Sequence, residues 1–544
     1  MKNRIIFADL TEVIMLITDM YWERIYLHIR VDEGLPEGSH CVICSKEDNV
    51  SYPLSFDEKN GEFVINITNV FEEKMLSSGD WYLSLVGADG KRSTVEASAE
   101  VCRKHGELDK LYWYGEGNYA YAFSVIPEYS DEGQSCIIRS AFMKPNRTPR
   151  RRYAGNKNAP FRKRLHDFLI SFFGESLNIL YRILSGLSPR RGNRILLMSE
   201  NRRMGGNLLA LDERIKQRGL DKKLKVSYHF AEVRENKGFR LLLVWLKLVF
   251  ICARQDFICI DDYEPFFEHV KLSKRTKLIQ LWHAGVGFKS VGYSRFGMKG
   301  SCHPYASSHR RYDYAVVGGE ALREVYSEVF GIDEKKCLPY GLLRNDGYTD
   351  PERIKAFRES FYREYPQLEG KEIILFAPTF RGDGMRSAYY PFETIDQKRI
   401  YDLCGEEKVF LVKMHPFVSE SVKIEGEYSS RIIDFSHFND INSLFYVTDV
   451  LITDYSSNIY EFAMLEKPVI SFAFDKEAYE MQRSLHRTLE ENSPGKVCYS
   501  FEELFDALVN RDYETEKLYR FIEENINKSR EYASDKVIDE IFKA

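Results

Sequence analysis

The sequence predicts a β-sandwich followed by an α/β region of parallel sheets with helices on their faces. Three observations carry that prediction. Residues 1–143 hold short alternating apolar and polar runs cut by turn signals. From Arg194 onward, short apolar runs alternate with helix-like segments. A strongly basic stretch separates the two patterns. A chain of 544 residues has room for roughly two to four domains of about 150 residues each. With 44% hydrophobic and 29% charged residues, its composition is that of a soluble globular protein. A net charge of -5 does not point to nucleic acid as a partner.

In the first region the runs 24–31, 62–68 and 80–86 largely alternate, and Gly34, Gly61 and Gly90 sit in the turns after or between them. No helical period persists, so 1–143 reads as an immunoglobulin-like sandwich. It carries no catalytic constellation and is expected to be an accessory module. Cys41 and Cys44 have the spacing of a zinc pair but no second pair or His cluster nearby. Buried thiols are therefore expected, and no metal ligands. The chain reaches Asp9 before any apolar h-region forms, so the expected compartment is the reducing cytoplasm.

Residues 144–193 read as a basic linker and an amphipathic helix. Between 144 and 164 there are nine Lys/Arg and no Asp or Glu. Leu165, Phe168, Leu169, Phe172, Leu177, Leu180, Leu184 and Leu187 follow near helical spacing. That combination suits an anionic membrane surface, where apolar side chains enter the interface and Lys and Arg meet lipid phosphates. A solvated linker followed by a docked helix is the competing reading. The apolar run 241–253 contains Lys247 and is shorter than the roughly 20 residues a bilayer span needs. It reads as a buried helix, and no transmembrane span is expected.

Strands are expected at 195–198, 257–260, 278–281, 314–317, 373–376, 409–413, 450–452 and 469–472, divided into halves 194–345 and 346–544. Ligands of such sheets bind at the carboxyl ends of strands, and five of those ends carry chemistry. After 278–281 come His283, Gly285, Gly287 and Lys289: a base near neutral pH beside glycines that let backbone N–H groups reach an oxyanion. Arg344 with Asp346, and Thr379 with Arg381, place arginine forks suited to phosphate, a surface salt bridge being the competing reading for each. His415 precedes a proline, which biases its backbone towards extended form. The stretch 450–462 places Asp454, Ser456 and Ser457 where a helix begins, and helix starts attract anions. One serine suffices for a cap; the second points to a phosphate cradle.

The ordered set WHAGxGxxK, GxxRND, APTFR, KMHP and TDYSSxxYEFAxLxKPxIxFxxD resembles the bacterial CDP-glycerol glycerophosphotransferases of teichoic acid polymerase and primase type, over roughly 194–530. The resemblance implies a GT-B fold of two Rossmann-like halves, an acceptor half and a CDP-donor half. It implies transfer of a polyol phosphate from CDP-glycerol or CDP-ribitol to a hydroxyl of a lipid-linked acceptor, releasing CMP, at the inner membrane face. By motif, His283 would be the base and His415 would stabilise the pyrophosphate or protonate the leaving group. Ser456 and Ser457 would bind donor phosphates with Arg381 nearby, Asp454 would orient the turn, and Glu461 could hold ribose hydroxyls. Ala284 stands where the family usually has glycine. No organic cofactor is implied, and no carboxylate cluster argues for a metal, which leaves a divalent cation open. Two other readings remain at this point: a nucleotide-sugar glycosyltransferase of the same fold, and a non-catalytic surface-polymer-binding protein.

Overall fold

The computed structural model describes residues 15–115, 119–130, 133–143, 161–189, 192–201, 204–230, 239–283, 290–298, 301–305, 307–382, 386–438, 440–483, 485–527 and 531–544. They form two compact units. The first comprises Met1–Ser171, Gly292–Arg310 and Glu328–Asp333, and the second is the remainder.

The first unit contains a five-stranded and a seven-stranded sheet, antiparallel apart from one short parallel pair. The expected strands lie at Tyr26–Val31, Glu62–Asn66 and Gly79–Val86. Alternation puts Leu27, Ile29, Phe63 and Ile65 of one sheet into the same core as Ile43, Trp81, Leu83 and Phe123 of the other. Cys41 and Cys44 are free, buried thiols, and burial pushes Cys41 up to about 12. Segment 292–310 joins this unit although it lies far along the chain. Phe296 stacks on Tyr112 at 5.9 Å, and Arg310 donates to the carbonyls of Thr68 and Glu73. Gly292 permits that path: its φ is +55°, and a Cβ there would lie 2.0 Å from the Val329 carbonyl oxygen. The sequence pattern could not assign 292–310 to the first unit, because its aromatic residues follow no period.

The second unit holds two parallel six-stranded sheets. Counted along each half, the strand orders are 2-1-3-4-5-6 and 3-2-1-4-5-6. The first sheet is built on Arg194–Ser199, Phe257–Ile260 and Lys277–Gln280. Glu372–Phe376, Lys408–Val412 and Val450–Thr453 form the centre of the second. These central strands are buried on both faces and are accordingly Ile-, Leu- and Val-rich. The chain end does not stay with the second half: Val537, Ile538, Ile541 and Phe542 pack into the core of the first, against Ile195, Leu197 and Leu208.

Two helices leave apolar side chains uncovered. Phe161–Leu187 is a helix whose described part buries Leu177 and Tyr181, while Ile179, Ile183 and Leu187 are exposed on one stripe. Phe239–Cys252, expected to be buried, is covered only on the side of Leu248, Val249 and Cys252. Its Leu243 and Phe250 face outward. The near-continuous apolar run exceeds what the neighbouring core can cover. Among the described residues, no helix is long and apolar enough to cross a membrane.

Candidate active site

The first half presents His283 just beyond the strand Lys277–Gln280. The preceding Trp282 has φ +52°, a left-handed conformation that costs a bulky residue about 1–3 kcal/mol unless its surroundings enforce it. They do: the Trp282 N–H donates to Gln280 Oε1 at 2.7 Å. Asn207 Nδ2 donates to the carbonyls of Leu281 and Trp282 at 2.8 and 2.6 Å. His283 Nδ1 lies 2.8 Å from the carbonyl oxygen of Asp261. A carbonyl only accepts, so Nδ1 carries the proton and the neutral ring presents a lone pair at Nε2. Asp262 Oδ1 stands 3.9 Å from the same Nδ1. Burial pushes the Asp261 carboxyl up, and among the described residues its Oδ1 meets no hydrogen-bond partner. Gly285, Gly287 and Lys289, with Ala284, lie outside the described residues.

His415 follows the strand Lys408–Val412 and has the opposite polarity. Its Nδ1 accepts the Phe417 N–H at 3.1 Å, so the neutral ring carries its proton on Nε2. The ring packs against Phe380 at 4.7 Å and Phe417 at 4.8 Å. One imidazole is therefore set to take a proton through Nε2 and the other to donate a hydrogen bond through Nε2.

After Val450–Thr453, Asp454 Oδ1 accepts the N–H groups of Thr379 and Tyr455 at 2.8 and 2.7 Å. Its Oδ2 accepts Arg381 Nη1 at 2.9 Å. Arg381 also forks onto Asp475, at 2.6 and 2.9 Å, and onto the carbonyl and hydroxyl of Thr379. It is 6% exposed and ringed by Tyr390, Tyr455, Phe474 and Tyr479. The guanidinium expected to bind phosphate is thus spent on two carboxylates, and Thr379 is buried with it. Ser456 Oγ accepts the Asn458 N–H at 3.3 Å, whereas Ser457 occupies the cap position of Asn458–Phe462 without a side-chain cap bond. Both serines are half-exposed.

Arg344, Asp346 and Glu461 also have protein partners. Arg344 Nη1 donates to the His283 carbonyl at 2.7 Å and Nη2 pairs with Glu461. Glu461 is fully buried, which closes it to ribose in this conformation. Asp346 accepts the N–H groups of Ala533 and Ser534 at 2.8 and 3.1 Å, holding the start of the final helix. Asp261 and Gln280, outside the quoted motifs, also shape the site, as do Asn207 and Asp475, the last residue of the TDYSS motif, to which the sequence reading gave no role. The paired acids at a strand end were a readable signal for Asp261 and Asp262, while Gln280 inside a strand offered none. A recess of about 280 Å³ opens beside Arg344, bordered by Gly205, Gly206, Tyr348, Asn442 and Tyr446. Among the described residues no three His, Cys, Asp or Glu side chains converge as a metal site would require.

A family described as CDP-glycerol:poly(glycerophosphate) glycerophosphotransferase matches residues 179–543. The chain is 36% identical to the teichoic acid ribitol-phosphate polymerase TarL of Staphylococcus aureus over 356 residues, 65% of this chain and 63% of that one. It is 32% identical to the teichoic acid poly(ribitol-phosphate) polymerase of Bacillus spizizenii over 495 residues, 88% and 77% of the two chains. It thus spans less than two thirds of the staphylococcal relative's length. A solved structure of the wall teichoic acid polymerase TagF superposes with a TM-score of 0.55 at 20% identity, covering 70% of this chain and 97% of that one; the likeness is one of fold.

Burial raises the Asp346 carboxyl from 3.8 to about 6. The folded state therefore holds that proton more tightly than the unfolded chain, and the associated stability is lost as pH rises through about 6. Urea unfolding followed between pH 4 and 7 should show Asp346→Asn flattening this dependence, by at most about 3 kcal/mol. An identical pH slope in both proteins would contradict it.

Proposed function

Since the chain belongs to the CDP-glycerol:poly(glycerophosphate) glycerophosphotransferase family, we propose that it transfers an alditol phosphate from a CDP-activated donor to a hydroxyl of a lipid-linked acceptor, releasing CMP. The observation that carries the chemistry is the opposite polarity of the two histidines at strand ends of the two parallel sheets. His283 Nε2 takes the proton of the acceptor hydroxyl as its oxygen attacks the β-phosphorus. The bond from that phosphorus to the bridging oxygen breaks, and CMP departs with the electron pair. A phosphate monoester has its second pKa near 6, so CMP leaves as an anion that needs hydrogen-bond donors more than a proton. His415 Nε2–H is such a donor. The Ser456 and Ser457 hydroxyls, with the N–H groups opening their turn, supply others to the equatorial oxygens. By their motif, Gly285, Gly287 and Lys289 contribute to binding the acceptor. Asp454 holds the serine turn in place; Thr379 and Arg381 act through it.

The two α/β halves correspond to the acceptor and donor halves of a GT-B enzyme, and the two-sheet N-terminal region to an immunoglobulin-like accessory module. Ribitol phosphate is the first group to test, given the names of the two relatives above. Membrane contact follows from the uncovered faces. Ile179, Ile183, Leu187, Leu243 and Phe250 are exposed near Arg182, Lys247 and Arg254; of the nine basic residues of 144–164, six precede the helix Phe161–Leu187 and three lie in its first turn. Apolar anchors beside cations suit an anionic bilayer on the cytoplasmic side.

With CDP-ribitol, CDP-glycerol and UDP-sugars each offered alongside a lipid-linked acceptor, CMP and a lengthened acceptor are expected from a CDP-alditol. His283→Ala should lower kcat by about 10²–10⁴-fold. Turnover of UDP-sugars alone, or full activity in both His283→Ala and His415→Ala, would defeat the reading. For the membrane, Leu177 and Tyr181 are core residues, so deleting the helix would unfold its neighbours. Ile179→Glu, Ile183→Glu and Leu187→Glu together test the face instead: sedimentation with anionic vesicles should drop sharply, and unchanged sedimentation would remove the membrane claim.

A further inference from the structure

Arg344 stands where the chain leaves the first half, and it is tied on three sides. Its backbone N–H donates to Asn207 Oδ1 at 2.9 Å, and Asn207 in turn holds the carbonyls of Leu281 and Trp282. Nη1 reaches the His283 carbonyl at 2.7 Å. Nη2 pairs with Glu461, one turn beyond Ser457 on the helix Asn458–Phe462. A single planar group therefore touches both the residue that bears the base and the helix that opens with the serine pair.

The energetics say what such a contact is good for. Glu461 is fully buried and the Arg344 side chain is 18% exposed. Among the described residues, Glu461 Oε2 and Arg344 Nε meet no hydrogen-bond partner. Tyr326 and Tyr348 lie close enough to feel the charges of both Arg344 and Glu461, Tyr460 that of Glu461, and burial raises all three phenols. Moving an ion pair into such surroundings costs about as much as the attraction returns, and apolar side chains of like volume would stabilise the fold as well. What a guanidinium adds is a rigid fork that fixes the distance and angle between its partners. A carbonyl at one prong and a carboxylate at the other make it a spacer.

We propose that Arg344 and Glu461 are positioning residues that set the His283 base against the Ser456–Ser457 turn, rather than ligands of donor phosphate or ribose. The inference rests on the transfer reading above for its consequence, while its geometry stands apart from it. Lysine in place of Arg344 keeps the charge but cannot reach both partners, and glutamine in place of Glu461 keeps the shape but not the charge.

The test uses the full chain with CDP-alditol and lipid-linked acceptor. Arg344→Lys and Glu461→Gln should each lower kcat by about 10²-fold, the order expected of a misplaced reacting group. The donor KM should stay within about threefold, because uniform binding is untouched. The double variant should be little worse than the poorer single one, since both changes break one unit. A large rise in donor KM with kcat retained would make the pair substrate ligands and overturn the proposal. Amide exchange without substrate provides a readout free of activity. Arg344→Lys should speed exchange in both 281–283 and 458–461, and unchanged exchange in either segment would equally overturn it. If Arg344→Lys does not fold, the isosteric Glu461→Gln carries both measurements. Wild-type protein that turns over no CDP-alditol would defeat the transfer reading alone, leaving the exchange result to decide the positioning role.

Discussion

Each of the two imidazoles is held through Nδ1 by a main-chain group, and the polarity of that group decides what Nε2 can do. The Asp261 carbonyl demands a proton from His283 Nδ1, and the Phe417 N–H demands a lone pair from His415 Nδ1. Backbone groups neither titrate near neutral pH nor rotate away, so the assignment persists without a carboxylate partner to enforce it. The strand ends supply them because parallel strands stop pairing there, leaving N–H and C=O groups to be satisfied by side chains. The same edge that forms a ligand site therefore also fixes the tautomers of the residues placed on it.

Around those rings the arginines act as structure. Arg381 is fastened to Asp454, Asp475 and Thr379 beneath the serine turn, and Arg344 links the His283 carbonyl to Glu461. Their partners lie in fixed planes, which suits a fork and would not suit an ammonium. Phosphate contact in the proposed chemistry is left to groups that are still half-exposed, the serine hydroxyls and His415. The strained φ of Trp282 belongs to the same logic. Asn207 and Gln280 hold it open, and the outcome is the placement of His283.

Much of this was readable from residues alone. The central strands of both sheets were legible because runs such as Ile373, Ile374, Leu375 and Phe376 are apolar on both faces. The edge strands Lys225–Phe230, Ile432–Asp434 and Lys496–Cys498 escaped, since the first mixes Lys, Ser and His with apolar residues and the other two have only three residues each. Strand-end position made His283, His415 and the serine pair visible. Thr379, two residues from Arg381, was visible as its partner; the carboxylate partners of Arg344 and Arg381 and the His283 carbonyl were not, because each lies 61 or more residues away and a buried fork has the same sequence signature as an exposed one. The exposed faces of Phe161–Leu187 and Phe239–Cys252 show the same limit. Periodicity reports that an apolar stripe exists and leaves open what covers it.

The claim that the site pairs a proton-accepting with a proton-donating imidazole can be measured without substrate. Protein labelled with ¹⁵N at histidine, with the two rings assigned from His283→Gln and His415→Gln, reports the tautomers from its ring-nitrogen shifts above pH 8. The account predicts the proton on Nδ1 for His283 and on Nε2 for His415. The same tautomer in both rings would contradict it.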